Sequence, residues 1–183
     1  MSKALELVRP DLHVCHASKI PFRELCYEKG ITGYVFDLDN TIRHKEHGLD
    51  KAAIAAIRQG VKANYIKSLV ILTNTIQGEE RVAKARKLAF RVGEDIGLYV
   101  KAICLDYSKR KPKSDGFYLA IKEIGSSRSE IAMVGDQILS DIKGGNKVGL
   151  FTILVDPLGS YSWMSVISGR TIRNQWARWR LDL

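Results

Sequence analysis

Two carboxylates stand one residue apart in Asp37-Leu38-Asp39, directly after the apolar run Tyr34-Val35-Phe36 and before Asn40 and Thr41. Side chains alternate along an extended backbone, so these acids leave the same side of it. Held close together, they repel unless a cation or a shared proton offsets them. Such a pair suits two kinds of chemistry. Carboxylate oxygens are hard ligands for Mg²⁺. A carboxylate can also attack phosphorus to give an aspartyl-phosphate, and a second one nearby can protonate the leaving oxygen and then deprotonate the attacking water. A solvated strand end, or a turn begun at Asp39-Asn40, is the plain structural alternative.

Further groups of matching chemistry follow in order. Thr73 and Asn74 come straight after the apolar run Ser68 to Leu72. Lys111 lies in the basic loop Lys109-Arg110-Lys111-Pro112-Lys113. Asp136 follows Gly135 at the end of Ile131-Ala132-Met133-Val134, and Asp141 comes shortly after. A fixed cation and a hydroxyl suit a phosphoryl group, whose spread negative charge needs positive groups and donors around it.

These residues share one setting. Each apolar run reads as a short buried strand: 34–36, 68–72, about 99–104, 131–134 and 150–155. Helices are expected between them. One runs from Phe22 to Lys29, and one from Asp50, a good N-cap, to about Tyr65. Others run from about Glu79 to Val92, around Phe117 to Ile124, and through Asp141 to Gly144 and Gly145. Residues 1–20 read as irregular, and Arg43 to Gly48 as a polar loop carrying His44 and His47. Strands alternating with helices imply a parallel sheet covered on both faces. Ligands bind such sheets beyond the carboxyl ends of the strands. Asp37, Asp39, Thr73, Asn74, Lys111 and Asp136 therefore converge on one sheet edge, which is hard to explain as packing.

Composition narrows the partners. The chain has 183 residues, 45% hydrophobic and 27% charged, which suits one soluble globular domain. Its net charge of +9 points to an acidic partner: phosphate, nucleic acid or an anionic membrane surface. Cys15, Cys26 and Cys104 have no metal-like spacing, so reduced thiols in a cytosolic-type compartment are expected. No stretch reads as a signal peptide or a membrane span. The expected location is cytoplasmic or peripheral at the inner face of a membrane.

Asp37-Leu38-Asp39-Asn40-Thr41 resembles the DxDxT motif of the haloacid dehalogenase-like phosphohydrolases. Thr73, Lys111 before Pro112, and Gly135-Asp136-Gln137-Ile138-Leu139-Ser140-Asp141 resemble the second, third and fourth motifs of that superfamily, in order, over about residues 30–156. The resemblance implies a Rossmann-like three-layer α/β sandwich. It implies Asp37 as nucleophile, Asp39 as general acid/base, and Thr73, Asn74 and Lys111 at the phosphoryl oxygens. It also implies that Asp37, the Asp39 carbonyl and Asp136 hold Mg²⁺, with Asp141 in support. The gaps between motifs have no room for a large cap domain, so the chain is similar to the capless subclass, with residues 1–183 as one hydrolase domain. Leu7 to Asp11, the Asp-Asn-Thr, the Lys-Pro and the Gly-Asp-Gln are most similar to the YqeG-type family, related to phosphatidylglycerophosphate phosphatases. Ile42 and Arg43-His44-Lys45 depart from common versions.

The segment of about 160–183 carries all three Trp. Ile172, Trp176, Trp179 and Leu183 share one helical face, with Arg173, Arg178 and Arg180 away from it. That pattern suits an anionic membrane surface, or alternatively a helix docked on the domain. The expected activity is Mg²⁺-dependent hydrolysis of a phosphate monoester, phosphatidylglycerophosphate foremost. The alternatives are a nucleic-acid end, a phosphoprotein, a soluble metabolite, or a non-catalytic RNA-binding module. The oligomeric state is open.

Overall fold

Period-two burial builds the sheet. In the strand Gly33–Phe36 (β2), Tyr34 and Phe36 belong to the apolar cluster on one face and Val35 to the cluster on the other. The strand is buried throughout, as a central parallel strand must be. The computed structural model describes residues 6–44, 46–75, 78–159, 177–179 and 181. The other strands are Leu12–Val14 (β1), Ser68–Asn74 (β5), Val100–Leu105 (β6), Ile131–Gly135 (β7) and Phe151–Val155 (β8). A small hairpin is formed by Arg43–His44 (β3) and Gly48–Leu49 (β4). The main sheet has the order β1-β8-β7-β2-β5-β6, and every neighbouring pair is parallel.

Helices cover both faces. Phe22–Lys29 (α1), Lys51–Lys62 (α2) and Gly78–Ile96 (α3) contribute Phe22, Leu25, Ile54, Ile57, Ala89 and Val92 to one apolar layer. Ser114–Ile124 (α4) brings Phe117 and Ala120 to the other, with the short Lys143–Lys147 (α5) packed beside it. Asp50 caps α2 as expected: its Oδ1 accepts from the Ala53 amide at 2.7 Å. The result is the Rossmann-like three-layer α/β architecture.

Several local expectations change. Leu12–Val14 is a strand rather than irregular chain, paired in parallel with β8. The loop after Thr41 is the β3–β4 hairpin. The turn carrying Asp141 is π-helical over Ile138–Ile142 before it becomes α5. Ile172, Trp176, Leu183, Arg173 and Arg180 lie outside the described residues. Of that segment, Ala177 is buried against Ile138, Ile142 and Leu154, while Trp179 is exposed. Among the described residues, no helix is long and apolar enough to cross a membrane.

Candidate active site

Register brings the acids together. Phe36 pairs with Ile71 on β5 and with Val134 on β7, so Asp37 emerges between the ends of two strands. Its amide donates to the Val134 carbonyl at 2.9 Å. Asp136 leaves the end of β7 immediately alongside. Asp141 returns from the π-helical turn, its Oδ2 accepting from the Gln137 amide at 3.1 Å. Gly135 permits this return. A Cβ there would lie 2.4 Å from Asp141 Oδ2 and 2.5 Å from its Cβ and Cγ, closer than atoms can pack.

Lys111 enters the same space from the loop after β6. Its Nζ lies 2.5 Å from Asp37 Oδ1, 2.7 Å from Asp141 Oδ1 and 2.8 Å from the Leu72 carbonyl. An ammonium has three protons to donate; two go to Asp37 Oδ1 and the Leu72 carbonyl, and Asp141 Oδ1 faces the charge as an ion pair. Asn74, expected at the phosphoryl group, has its Oδ1 accepting from the Lys111 amide at 2.9 Å, so it fixes the lysine loop. Thr73 is buried at the end of β5 beside these residues.

Burial sets the electrostatics. Asp37, Asp136, Asp141 and Lys111 are all buried. For Asp37, burial pushes the carboxyl up, Lys111 pulls it back and Asp141 pushes again, leaving it at about 7. Asp136 is raised well above the usual range, first by burial and then by repulsion from Asp37 and Asp141. For Lys111, burial disfavours the ammonium, but Asp141 and Asp37 outweigh it and hold the lysine charged.

Asp39 stands apart from this cluster. Its side chain is 59% exposed and pairs with Arg43 Nη2 at 2.6 Å. The turn between them is tight. Asn40 adopts φ 61°, its amide donates to the Arg43 carbonyl at 2.9 Å, and Asp39 and Arg43 form a backbone bridge.

Acids, a buried lysine and a threonine at one parallel-sheet edge have known counterparts. The model of the mitochondrial PGP phosphatase family matches residues 2–159. The chain belongs to this family. The probable phosphatase YqeG of Bacillus subtilis (strain 168) is 30% identical over 133 residues, 73% of this chain and 69% of that protein. Phosphatidylglycerophosphate phosphatase 1, chloroplastic/mitochondrial, of Arabidopsis thaliana is 27% identical over 138 residues. That match covers 74% of this chain but 37% of the Arabidopsis protein. An uncharacterized protein from Listeria monocytogenes serotype 4b shares the fold, with a TM-score of 0.50 and 22% identity over 68% of this chain and 78% of that one. The protein is thus a phosphoric monoester hydrolase, in keeping with the resemblance of its motifs to the haloacid dehalogenase-like phosphohydrolases.

The PGP phosphatase family site has a donor set that fits a hard divalent cation. Asp37, Asp136 and Asp141 each offer a carboxylate oxygen, and these lie within 4.8 Å of one another. Three ionised acids against one lysine would leave excess negative charge in a buried space, which is costly without a cation. Oxygen ligands of this kind suit Mg²⁺. The Asp39 carboxylate lies outside the cluster, which leaves that residue its expected backbone carbonyl as a ligand.

Two arginines of this phosphatase carry roles that sequence reading did not assign. Arg43 holds Asp39, and the signal for it was present: a basic residue four positions after an acid, across a turn-forming Asn. Arg178, expected only to lie off the tryptophan face of the C-terminal segment, contacts the domain. Its Nη1 meets Asp156 Oδ1 at 2.6 Å, and its Nη2 donates to the carbonyls of Val155 at 2.7 Å and Asp136 at 3.2 Å. His13 Nε2 reaches the same Asp156 oxygen at 3.0 Å. Partial burial pushes the Asp156 carboxyl up, but His13 and Arg178 outweigh it and hold it below the usual range. No local pattern in the sequence marks this long-range contact.

Proposed function

We propose that this phosphatase hydrolyses its ester through an aspartyl-phosphate on Asp37, with Mg²⁺ as cofactor and phosphatidylglycerophosphate as substrate. The observation that carries the reading is the buried pairing of Asp37 with Lys111 inside a cluster of three acids. Lys111 holds Asp37 in place and favours its ionised, nucleophilic form. One Asp37 oxygen attacks phosphorus, and the bond from phosphorus to the leaving oxygen breaks. Asp39, at the solvent side, gives that oxygen a proton. Asp39 then takes a proton from a water whose oxygen attacks the phosphorus, which releases inorganic phosphate and restores Asp37.

Asp37, Asp136 and the Asp39 carbonyl would hold the Mg²⁺, supported by Asp141, and the ion would offset negative charge on the transferring phosphoryl group. Thr73 faces the phosphoryl oxygens. Because Lys111 already donates to Asp37 and the Leu72 carbonyl and pairs with Asp141, a phosphoryl oxygen joins or replaces one of these contacts.

The lipid substrate is supported by the similarity to the Arabidopsis enzyme, whose name gives it that activity, and by the net charge of +9. Association with an anionic membrane surface follows from the same substrate. Phosphate release is measured from phosphatidylglycerophosphate in vesicles, soluble phosphate esters and 3′-phosphorylated DNA, with and without Mg²⁺. The expected result is Mg²⁺-dependent release with preference for the lipid, and loss of at least about a thousandfold in Asp37→Asn. Equal activity of Asp37→Asn and wild type ends the aspartyl-phosphate reading. No preference for the lipid ends the substrate assignment.

A further inference from the structure

Arg43 stands beside the acid proposed to serve the leaving group. If Asp39 protonates the leaving oxygen, as proposed above and on which this inference rests, that oxygen comes within about 2.6–3.2 Å of the Asp39 carboxylate. Arg43 Nη2 is already 2.6 Å from the same carboxylate. The guanidinium therefore sits within about 6 Å of the first atoms of the leaving group. It is held there by its backbone. Arg43 pairs with Leu49 across the hairpin and accepts from the Asn40 amide, so the stem of the side chain has a fixed origin.

The ion pair with Asp39 does not account for this arginine. An exposed carboxylate gains about 1 kcal/mol or less from such a pairing, yet the Arg43 side chain is only 15% exposed. Its Nε is buried and has no hydrogen-bond partner among the described residues. A buried donor without an acceptor is costly. A planar guanidinium with donors to spare is suited to a phosphate or carboxylate. Mg²⁺ would offset the buried acids and Lys111 is occupied on the nucleophile side, whereas on the proposed mechanism the mostly exposed Asp39 carboxylate faces the leaving group. An ester carrying a second anion beyond the leaving oxygen meets repulsion unless a cation faces it there.

We propose that Arg43 is the specificity-determining residue for the leaving group: it pairs with a phosphodiester anion on the alcohol side of the scissile ester. That chemistry comes from a phospholipid headgroup or equally from a soluble phosphodiester, and matched esters separate the two. The substrates are short-chain phosphatidylglycerophosphate, its deacylated headgroup, and glycerol 3-phosphate, which offers a glycerol leaving group without the diester.

kcat/KM is measured with Mg²⁺ for wild type, Arg43→Ala and Arg43→Lys, with thermal unfolding alongside. Wild type is expected to favour both diester-bearing esters over glycerol 3-phosphate by about tenfold or more. Arg43→Ala loses about 10- to 100-fold on those two esters and much less on glycerol 3-phosphate, and Arg43→Lys recovers part of the loss. If Arg43→Ala does not fold, Arg43→Gln carries the comparison. No wild-type preference for the diester overturns the inference, as does an equal loss on all three esters. Cleavage of the deacylated headgroup but not the lipid, with the Arg43 dependence intact, upholds the inference and overturns the lipid substrate. Lack of cleavage of any ester overturns both.

Discussion

Asp37 and Asp39 leave the same strand end and live in opposite surroundings. Asp37 is buried, meets a buried lysine and shares its space with two more acids. Asp39 is mostly exposed and meets an arginine on a short hairpin. On the mechanism proposed above, the difference separates two tasks. A nucleophile must be fixed in line with phosphorus, and a packed, charged interior does that at the expense of stability. A proton carrier must serve first the leaving oxygen and then water, and a solvent-facing side chain can do both. The buried half of the site should therefore govern folding as well as catalysis, while the hairpin half should govern catalysis almost alone.

The largest expected effect comes from Lys111→Met. It keeps much of the side-chain length but removes the charge that offsets Asp37 and Asp141. Removing one partner of a buried pair costs about 3–5 kcal/mol because it strands the other. Urea unfolding in Mg²⁺-free buffer measures this. A loss below about 1 kcal/mol would mean that the buried acids do not depend on the lysine. Added Mg²⁺ should return part of the loss, since it supplies positive charge to the same acids.

The second effect is on pH dependence. The Asp37 carboxyl rises from 3.8 to about 7 in the folded protein, and Asp136 moves in the same direction. The folded, metal-free protein therefore holds protons that the unfolded chain has released. That stabilisation is complete below about pH 4 and is lost as pH rises through about 7, with a slope of up to about 1.4 kcal/mol per pH unit for one carboxyl. The lowered carboxyls of Asp106 and Asp156 act below about pH 4, outside this window. Denaturant melts in EDTA between pH 5 and 8 should show stability falling. A rise over that range contradicts the assignment, and saturating Mg²⁺ should flatten the slope.

How legible each half was in the sequence follows from the same contrast. The buried half rests on β2, β5 and β7, whose apolar runs are long enough to mark as strands and whose ends locate Asp37, Thr73 and Asp136. Gly135 and Asp141 are close in sequence, so their contact is local and readable. The hairpin half rests on strands of two residues each, too short for any periodicity, and β1 with three residues is hidden for the same reason. The π-helical turn at Ile138–Ile142 serves to bring Asp141 back over Gly135, a tertiary demand that helix propensity does not register. Asn74 was legible as a polar residue at a strand end, but its commitment to the Lys111 amide depends on where a distant loop packs. Arg178 is the extreme case: its partners are carbonyls and an acid far away in the chain, and its sequence context placed it only off the tryptophan face of a helix.

The smallest expected effect on folding comes from Asp39→Asn, and it bears most directly on the contrast between the two acids. The substitution keeps the shape and removes only the charge and the proton-transfer capacity. The Asp39 end of the pair is mostly exposed, such pairs contribute about 1 kcal/mol or less, and the backbone contacts of the Asp39–Arg43 turn do not involve the carboxylate, so the urea midpoint should move little. Phosphatase turnover should nevertheless fall by about 10²- to 10⁴-fold, the usual range for loss of a general acid/base. The fall should be smaller for p-nitrophenyl phosphate than for an alkyl phosphate, because a nitrophenolate leaves without needing a proton. Equal losses on the two esters would remove Asp39 from proton transfer to the leaving group. A stability loss as large as that of Lys111→Met would show that the exposed acid is as much a part of the packed interior as Asp37, and the division of labour between them would fail.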